Sequence, residues 1–228
     1  MPSFHDNEFG EVTVRRSAKA RSVKLSVAPN GTLRVSMPPY APIFLAKRLI
    51  TSSRDSIRNL LTPLEDSAFY HGMQIGKSHS IHVTHGAKIT AKLSGQVIET
   101  TAPDSDVSSK SAQSIIKDVV IKALRKEAKS YLPKRLAFLA EKHDFHYEQV
   151  RFSHASSRWG SCSSQGTISL NIALMTLPFE LIDYVLIHEL CHTIEMNHSQ
   201  RFWKLVAQIV PDFKAHRQTL KKYSPTIS

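Results

Sequence analysis

The stretch Leu181-Ile182-Asp183-Tyr184-Val185-Leu186-Ile187-His188-Glu189-Leu190-Cys191-His192 runs almost wholly apolar and then sets two imidazoles and a carboxylate within five positions. Pro178 ahead of it is pre-set for a first helical turn, and Glu180 and Asp183 stand where the helix dipole favours negative charge. The pattern predicts a helix from Pro178 through about Glu195. Apolar on nearly every side, this helix is expected to be buried. Four residues apart, His188 and His192 lie one above the other and can offer nitrogens to one metal ion. Glu189 sits one position round, placed to take a proton from activated water without joining the ligands. Burying two imidazoles and a carboxylate together is costly unless a metal and water satisfy them.

His198 stands ten residues after His188, beyond the expected helix end at Met196-Asn197, where the chain can turn back with a third nitrogen. Three protein ligands plus water make an open tetrahedral site, so His188, His192 and His198 are expected to hold one Zn2+ ion, with three imidazoles favouring zinc among common divalent metals. Glu195, on the same helical face, is the alternative third ligand, and an uncoordinated buried histidine network is the bland reading. The histidine spacing equals the metzincin signature, but Glu195 stands where that signature has glycine.

Working outward, Phe202, Trp203, Val206, Ile209 and Val210 predict a further helix capped by Asn197 or Ser199 and stopped by Pro211, with Phe202 and Trp203 read as core. A last helix is expected from about Phe213 to Tyr223. Upstream, Val150-Arg151-Phe152 and Thr167-Ile168-Ser169-Leu170 read as strands. Ile115 to Lys142 carries apolar residues at helical steps, and Pro133 is expected to kink or divide that helix. Its other face holds Lys117, Lys122, Arg125, Lys126, Lys129, Lys134 and Arg135, a solvated face by default and a polyanion track by hypothesis.

The first forty residues alternate: Val12 and Val14, then Val23, Leu25 and Val27, then Leu33, Val35 and Met37, with Asn30-Gly31 as a hairpin turn. Ile43 to Leu61 is expected to pack on this sheet as an amphipathic helix, and further strands fall at Ser80–Thr84, Lys88–Leu93 and Gln96–Thr100. The fold class is therefore α+β: an N-terminal antiparallel β-meander with a helix over residues 1–106, then a zincin-like helical and β-sheet catalytic domain over 107–228 with the His-Glu-x-x-His helix buried. His71, His79, His82 and His85 form a second histidine-rich patch that lacks a helical pair or a nearby carboxylate partner, read as a polar strand face with metal binding as the minor alternative.

Composition sets the outer bounds. The 228 residues are 41% hydrophobic and 21% charged, an ordinary globular balance. No apolar run approaches the roughly 18 residues of a membrane span, and the polar, acidic start lacks the pattern of a secretory signal, so a cytoplasmic location without membrane association is expected. Cys162 and Cys191 are read as free thiols. The 30 Lys and Arg against 19 Asp and Glu give a net charge of +11, spread as 13 against 9 before residue 107 and 17 against 10 after it. That field suits nucleic acid or nucleotides as partners; a protein that is merely basic accounts for it equally well.

Arg158-Trp159-Gly160-Ser161-Cys162-Ser163, Leu170-Asn171, Pro178, Ile182-Asp183-Tyr184-Val185, the His188 to His192 run, Asn197-His198-Ser199, Phe202-Trp203 and Pro211-Asp212 together resemble the YgjP-like metallopeptidase domain, a family similar to the SprT-like and WLM zinc proteases. The resemblance implies zinc ligands His188, His192 and His198, catalytic Glu189, a hydrolase, and a protein or peptide substrate. Beside the metal, Arg158, Trp159 and Ser161 are expected to wall the substrate cleft, an edge strand pairing with extended peptide and Arg158 holding a phosphate, carboxylate or oxyanion; simple packing of Trp159-Gly160 on the helix is the equal alternative. Asn171 is a candidate substrate-side or supporting hydrogen-bond partner, with a turn role favoured. Two other functions stay open: a metal-dependent phosphohydrolase acting on nucleotides, and a nucleic-acid-associated protease of SprT-like type.

Overall fold

Val12, Val14, Leu33, Val35 and Met37 are buried to within 0% exposure, while the residues between them, Thr13, Arg34 and Ser36, remain partly or fully exposed. This is the two-residue period of a sheet with one covered face. The computed structural model describes residues 2–28, 32–57 and 68–227, and the chain divides into two compact units, 1–68 and 69–227. The boundary falls at 68, ahead of the division at 106 suggested by composition, because the strands that follow share a core with the long helix after them.

The first unit holds β1 (Ser3–Asp6), β2 (Gly10–Arg16), β3 (Lys24–Val27) and β4 (Leu33–Met37) in the order β1-β2-β4-β3. β2 and β4 are parallel, so the expected antiparallel meander is corrected: hydrophobic alternation decides which side chains are buried, not which strands are neighbours. Asn30-Gly31 lies outside the described residues; Ala28 N–H donates to the Thr32 carbonyl at 2.9 Å on either side of it. Helix α1 (Ile43–Ser52) contributes Ala46 and Ile50 to the same core. A single turn residue, Ser53, interrupts it after Thr51 and Ser52 turn their hydroxyls back onto the Lys47 and Leu49 carbonyls, and residues 54–57 are helical again. Leu60 and Leu61 lie outside the described residues.

The second unit opens with β5 (Gln74–Ile75), β6 (His79–His85), β7 (Thr90–Ser94) and β8 (Val97–Ala102), ordered β5-β6-β8-β7. Strand order and directions repeat those of the first sheet: antiparallel, parallel, antiparallel. Helix α2 (Lys110–Lys142) follows, with Ser109 accepting from the Ala112 N–H at its start. Pro133 does not divide it: the acceptor that Pro133 leaves without a donor is the carbonyl of Lys129, an exposed residue that water can satisfy. Leu124, Leu132 and Leu136 of α2 are buried, each worth about 1.5–3 kcal/mol of apolar transfer.

A three-stranded sheet in the order β10-β11-β9 is built from β9 (Gln149–Ser153), β10 (Gly160–Cys162) and β11 (Thr167–Asn171), leaving β10 at an edge. Then come α3 (Phe179–Cys191), α4 (Gln200–Ile209) and α5 (Phe213–Leu220). Arg135 of α2 grips Asp183 of α3 through two hydrogen bonds of 2.8 and 2.6 Å, so one member of the expected solvated face is a helix-to-helix clamp.

Glu127 is the polar anchor of the unit. Its carboxylate, nearly buried at 7% exposure, accepts from the Lys77 and Ser78 N–H groups, the Ser78 hydroxyl and His79 Nδ1, the last at 2.5 Å. His79 therefore has a carboxylate partner after all, 48 residues away in sequence. Burial alone would raise the Glu127 pKa; the converging donors outweigh it and hold the group below its ordinary 4.5. A depressed folded pKa gives stability that is complete above about 4.5 and lost as pH falls through the folded value. Glu127→Ala is expected to cost about 3 kcal/mol and flatten the acid limb of the stability curve; urea melts at pH 7 and pH 3 check both.

Candidate active site

Helix α3 delivers the central groups because its sequence leaves no polar face to turn outward. Leu181, Ile182, Leu186, Leu190 and Cys191 are buried, so His188, Glu189 and His192 enter the interior with them, Glu189 at 5% exposure and His192 at 7%. The helix ends at Cys191, with His192 as its cap, rather than at Glu195; residues 193–195 continue as turns onto the Leu190 and Cys191 carbonyls. This early stop bends the chain back. Ser199 then caps α4 by accepting from the Phe202 N–H, which fixes His198 one residue ahead of a rigid helix.

The three imidazoles converge. Ligand-capable nitrogens of His188, His192 and His198 all lie within 4.8 Å of one another, and the two Nε2 atoms of His188 and His198 are 3.0 Å apart. His192 donates from Nδ1 to the Glu195 carbonyl at 3.1 Å, which leaves its Nε2 lone pair free. Glu195 contributes that carbonyl and is not a member of the cluster. Burial first, then the neighbouring His192, His198 and Arg217, push the His188 pKa down to about 3, so this ring is neutral, the form that binds a cation. Burial likewise lowers His192. Nδ1 of His188 and Oε2 of Glu189 are buried without a hydrogen-bond partner. Neutral imidazoles with free lone pairs and an unsatisfied carboxylate fit a bound divalent cation and its water.

Aromatic rings hold the cluster in place. Phe202, fully buried, stacks on His192 with centroids 4.4 Å apart, and Trp203 stacks on His198 at 5.5 Å. Phe202 is core as expected, but Trp203 lines the cleft. The cleft has a volume of about 550 Å³, walled by Trp159, Gly160, Tyr184, His188, Glu189, His198, Trp203 and Arg217 among others. Tyr184 and Arg217 escaped the sequence reading. Tyr184 stands one helical turn before His188, a spacing that could have exposed it. Arg217 had no signal: α5 brings it back so that its guanidinium lies 4.9 Å over the Trp203 ring.

The expected cleft wall is divided by the structure. Trp159 and Gly160 line the cavity; Arg158 is exposed and its charge pulls the Glu189 pKa down against the burial that raises it, for a net value of about 8. Ser161 is half-buried in edge strand β10 and does not line the cavity. Asn171 is fully buried, donating to the Ala155 and Arg158 carbonyls at 2.6 and 2.9 Å and accepting from the Ala173 N–H. It shapes the loop carrying Arg158 and does not reach the cleft. Cys162 is half-buried and Cys191 buried, and both are free thiols. His71, His82 and His85 assemble no metal-binding group among the described residues.

A cationic-ligand cage of three imidazoles with a buried carboxylate beside it, opening on a cleft, is the equipment of a metal-dependent hydrolase. The chain belongs to the YgjP-like metallopeptidase domain family, whose sequence pattern matches residues 21–223. Among solved structures, the metallopeptidase zymogen abylysin of Pyrococcus abyssi is similar at 27% sequence identity, over 40% of this chain and 92% of that one, with a TM-score of 0.36. No protein of curated function matches the chain. Among the described residues, no helix is long and apolar enough to cross a membrane.

Gly160 has a steric reason to be glycine. A Cβ there would stand 2.6 Å from Glu189 Oε1 and 2.8 Å from its Cδ and Cγ. Gly160→Ala is expected to destabilise the protein by about 1–3 kcal/mol through overpacking against Glu189 of α3. The check is its thermal midpoint; a midpoint equal to wild type would mean that β10 stands farther from Glu189 than described.

Proposed function

We propose that this member of a metallopeptidase family is a zinc-dependent peptidase with a zincin-like catalytic unit, in which His188, His192 and His198 hold one Zn2+ and Glu189 is the general base. The observation that carries the reading is the convergence of three imidazole nitrogens beside a desolvated carboxylate that opens on the cleft. A divalent cation in that cage supplies Lewis acidity, bringing the pKa of water toward about 7 and polarising a carbonyl. Glu189 takes the proton of the attacking water and hands it to the amine as the C–N bond breaks. β10, with a free edge, offers main-chain hydrogen bonds to an extended peptide, and Arg158, Trp159 and Ser161 flank that path. Free Cys162 and Cys191 fit a reducing, cytoplasmic setting.

Glu189→Gln is expected to keep the metal at wild-type stoichiometry and lose at least about 100-fold in peptide turnover. Metal analysis with a casein-type assay reads both; turnover at the wild-type rate removes the assigned base. His198→Ala is expected to lower metal content after dialysis.

One observation favours a second reading, hydrolysis of nucleotides. Arg217 lines the cleft and Arg158 acts electrostatically on Glu189, and two guanidiniums near a metal suit phosphate oxygens. Assays with nucleoside triphosphates beside casein separate the two. The peptidase reading expects Glu189-dependent turnover with protein alone; Glu189-dependent release of phosphate or pyrophosphate alone would replace it.

A further inference from the structure

Because the sheets β1–β4 and β5–β8 share strand order and directions, positions on their outer faces correspond. In the second sheet the outer row is His82, Glu99 and Lys92, and Lys92 Nζ lies 2.9 Å from Glu99, so the row compensates its own charge. The corresponding row of the first sheet is Thr13, Arg34 and Ser26, with Arg34 in the place of Glu99. The next row is Arg15, Ser36 and Lys24. Arg15, Lys24 and Arg34 are exposed, and among the described residues none of them is ion-paired. Among the described residues the carboxylate that shares this face is Glu11, four residues from Arg15 along β2, about 13 Å, and diagonal to Arg34 on the neighbouring strand, about 8 Å, with an ion pair to neither.

At the rim, a cavity of about 350 Å³ gathers the hydroxyls of Ser17, Ser22 and Ser36 with Lys19, Arg21 and Lys24. The loop and the face together thus present five exposed cations interleaved with hydroxyl donors. Nothing in the packing of the unit needs them: its core is made by the opposite face, against Ala46 and Ile50 of α1.

We propose that this outer face is a sequence-independent binding surface for the phosphate backbone of a nucleic-acid duplex, the rim cavity taking one phosphate and Arg15, Lys24 and Arg34 its neighbours. Two strand intervals separate Arg15 from Lys24, about 10 Å, and Arg34 sits between them one row along, about 7 Å away, a spacing on the scale of successive backbone phosphates. Among the described residues the one aromatic ring on this face is His5 of edge strand β1, opposite Glu11 and away from Lys24, so the cationic rows have no ring on which to stack an unpaired base, and the face has no apolar side chain with which to enter a bilayer. What remains is charge and hydroxyl recognition of a regular polyanion. This inference is independent of the reaction performed in the second unit.

The test uses the full chain and a fluorescent duplex of about 20 base pairs, with binding followed by anisotropy from about 50 to 200 mM salt. Wild type is expected to bind with an affinity that falls steeply with salt. Arg15→Gln, Lys24→Gln and Arg34→Gln combined is expected to make the slope of log affinity against log salt shallower by about 2.7, the loss of three phosphate contacts. Arg15→Lys with Arg34→Lys is expected to restore most of it, and Glu189→Gln to leave it unchanged. Circular dichroism of the triple variant guards against misfolding. No binding by wild type, an unchanged slope in the folded triple variant, loss of binding only on neutralising Lys122, Lys126 and Lys129 of α2, or preference for anionic vesicles or polyglutamate over duplex would each overturn the proposal.

Discussion

Everything in the catalytic unit answers to one constraint: a carboxylate and two imidazoles are carried into the interior by a helix that has no polar side to give them. Left alone, such groups pay heavily for lost hydration, which is why burial pushes Glu189 up to about 8 and His188 down to about 3. Both shifts favour neutral forms in the metal-free chain. A cation would resolve the conflict, since neutral imidazoles are the form that ligates and a nearby positive charge favours the carboxylate again. The cluster also sits where α3 ends, so the negative end of the helix dipole would add to the attraction for a cation.

Holding such a cluster together falls to the surroundings. Asp183, five residues before His188, is gripped by Arg135, which fixes α3 on the long helix α2. From the other side, the Ser199 cap and the rings of Phe202 and Trp203 set His198 and back His192. Asn171 works at one remove, tying the 155–158 loop so that Trp159 and Gly160 can approach α3 closely. The glycine is required by that approach and not by its backbone angles, as no positive φ occurs there. Preorganisation of this kind spares the entropy that a loose set of ligands would lose on binding.

The local signals in the sequence were strong where chemistry repeats at a fixed spacing. His188, Glu189 and His192 were legible from helical geometry, and His198 from the break that Asn197 implies. Ser109 and Ser199 both cap helices, and the cap-type pair Asn197 and Ser199 ahead of an apolar period marks the second of them in the sequence. Signals failed where contact depends on distant segments. The His79–Glu127 pair spans 48 residues, and Arg217 reaches the cleft only because α5 folds back. The N-terminal sheet failed differently: alternation named its buried residues correctly, yet the parallel β2–β4 pair depends on how the 17–23 connection crosses, which periodicity does not encode. Trp203 was read as core because aromatic residues usually are, and it does pack on Phe213; its other face is turned to the cleft.

The repeated sheet topology sharpens what the net charge of +11 means. Charge summed over a chain cannot tell a solvated surface from a binding one, because both are exposed and basic. Two sheets of the same design within one chain provide an internal control. One pairs Lys92 directly with Glu99 in its outer row, whereas the other sets Arg34 between Arg15 and Lys24, with Glu11 the carboxylate on that face among the described residues and no ion pair formed there. No two of these cations stand directly opposite, yet gathered on one face they repel without the ion pair that offsets charge in the other sheet. A cost that the same architecture avoids elsewhere in the molecule is better explained by an anionic partner for that face than by a general need for solubility.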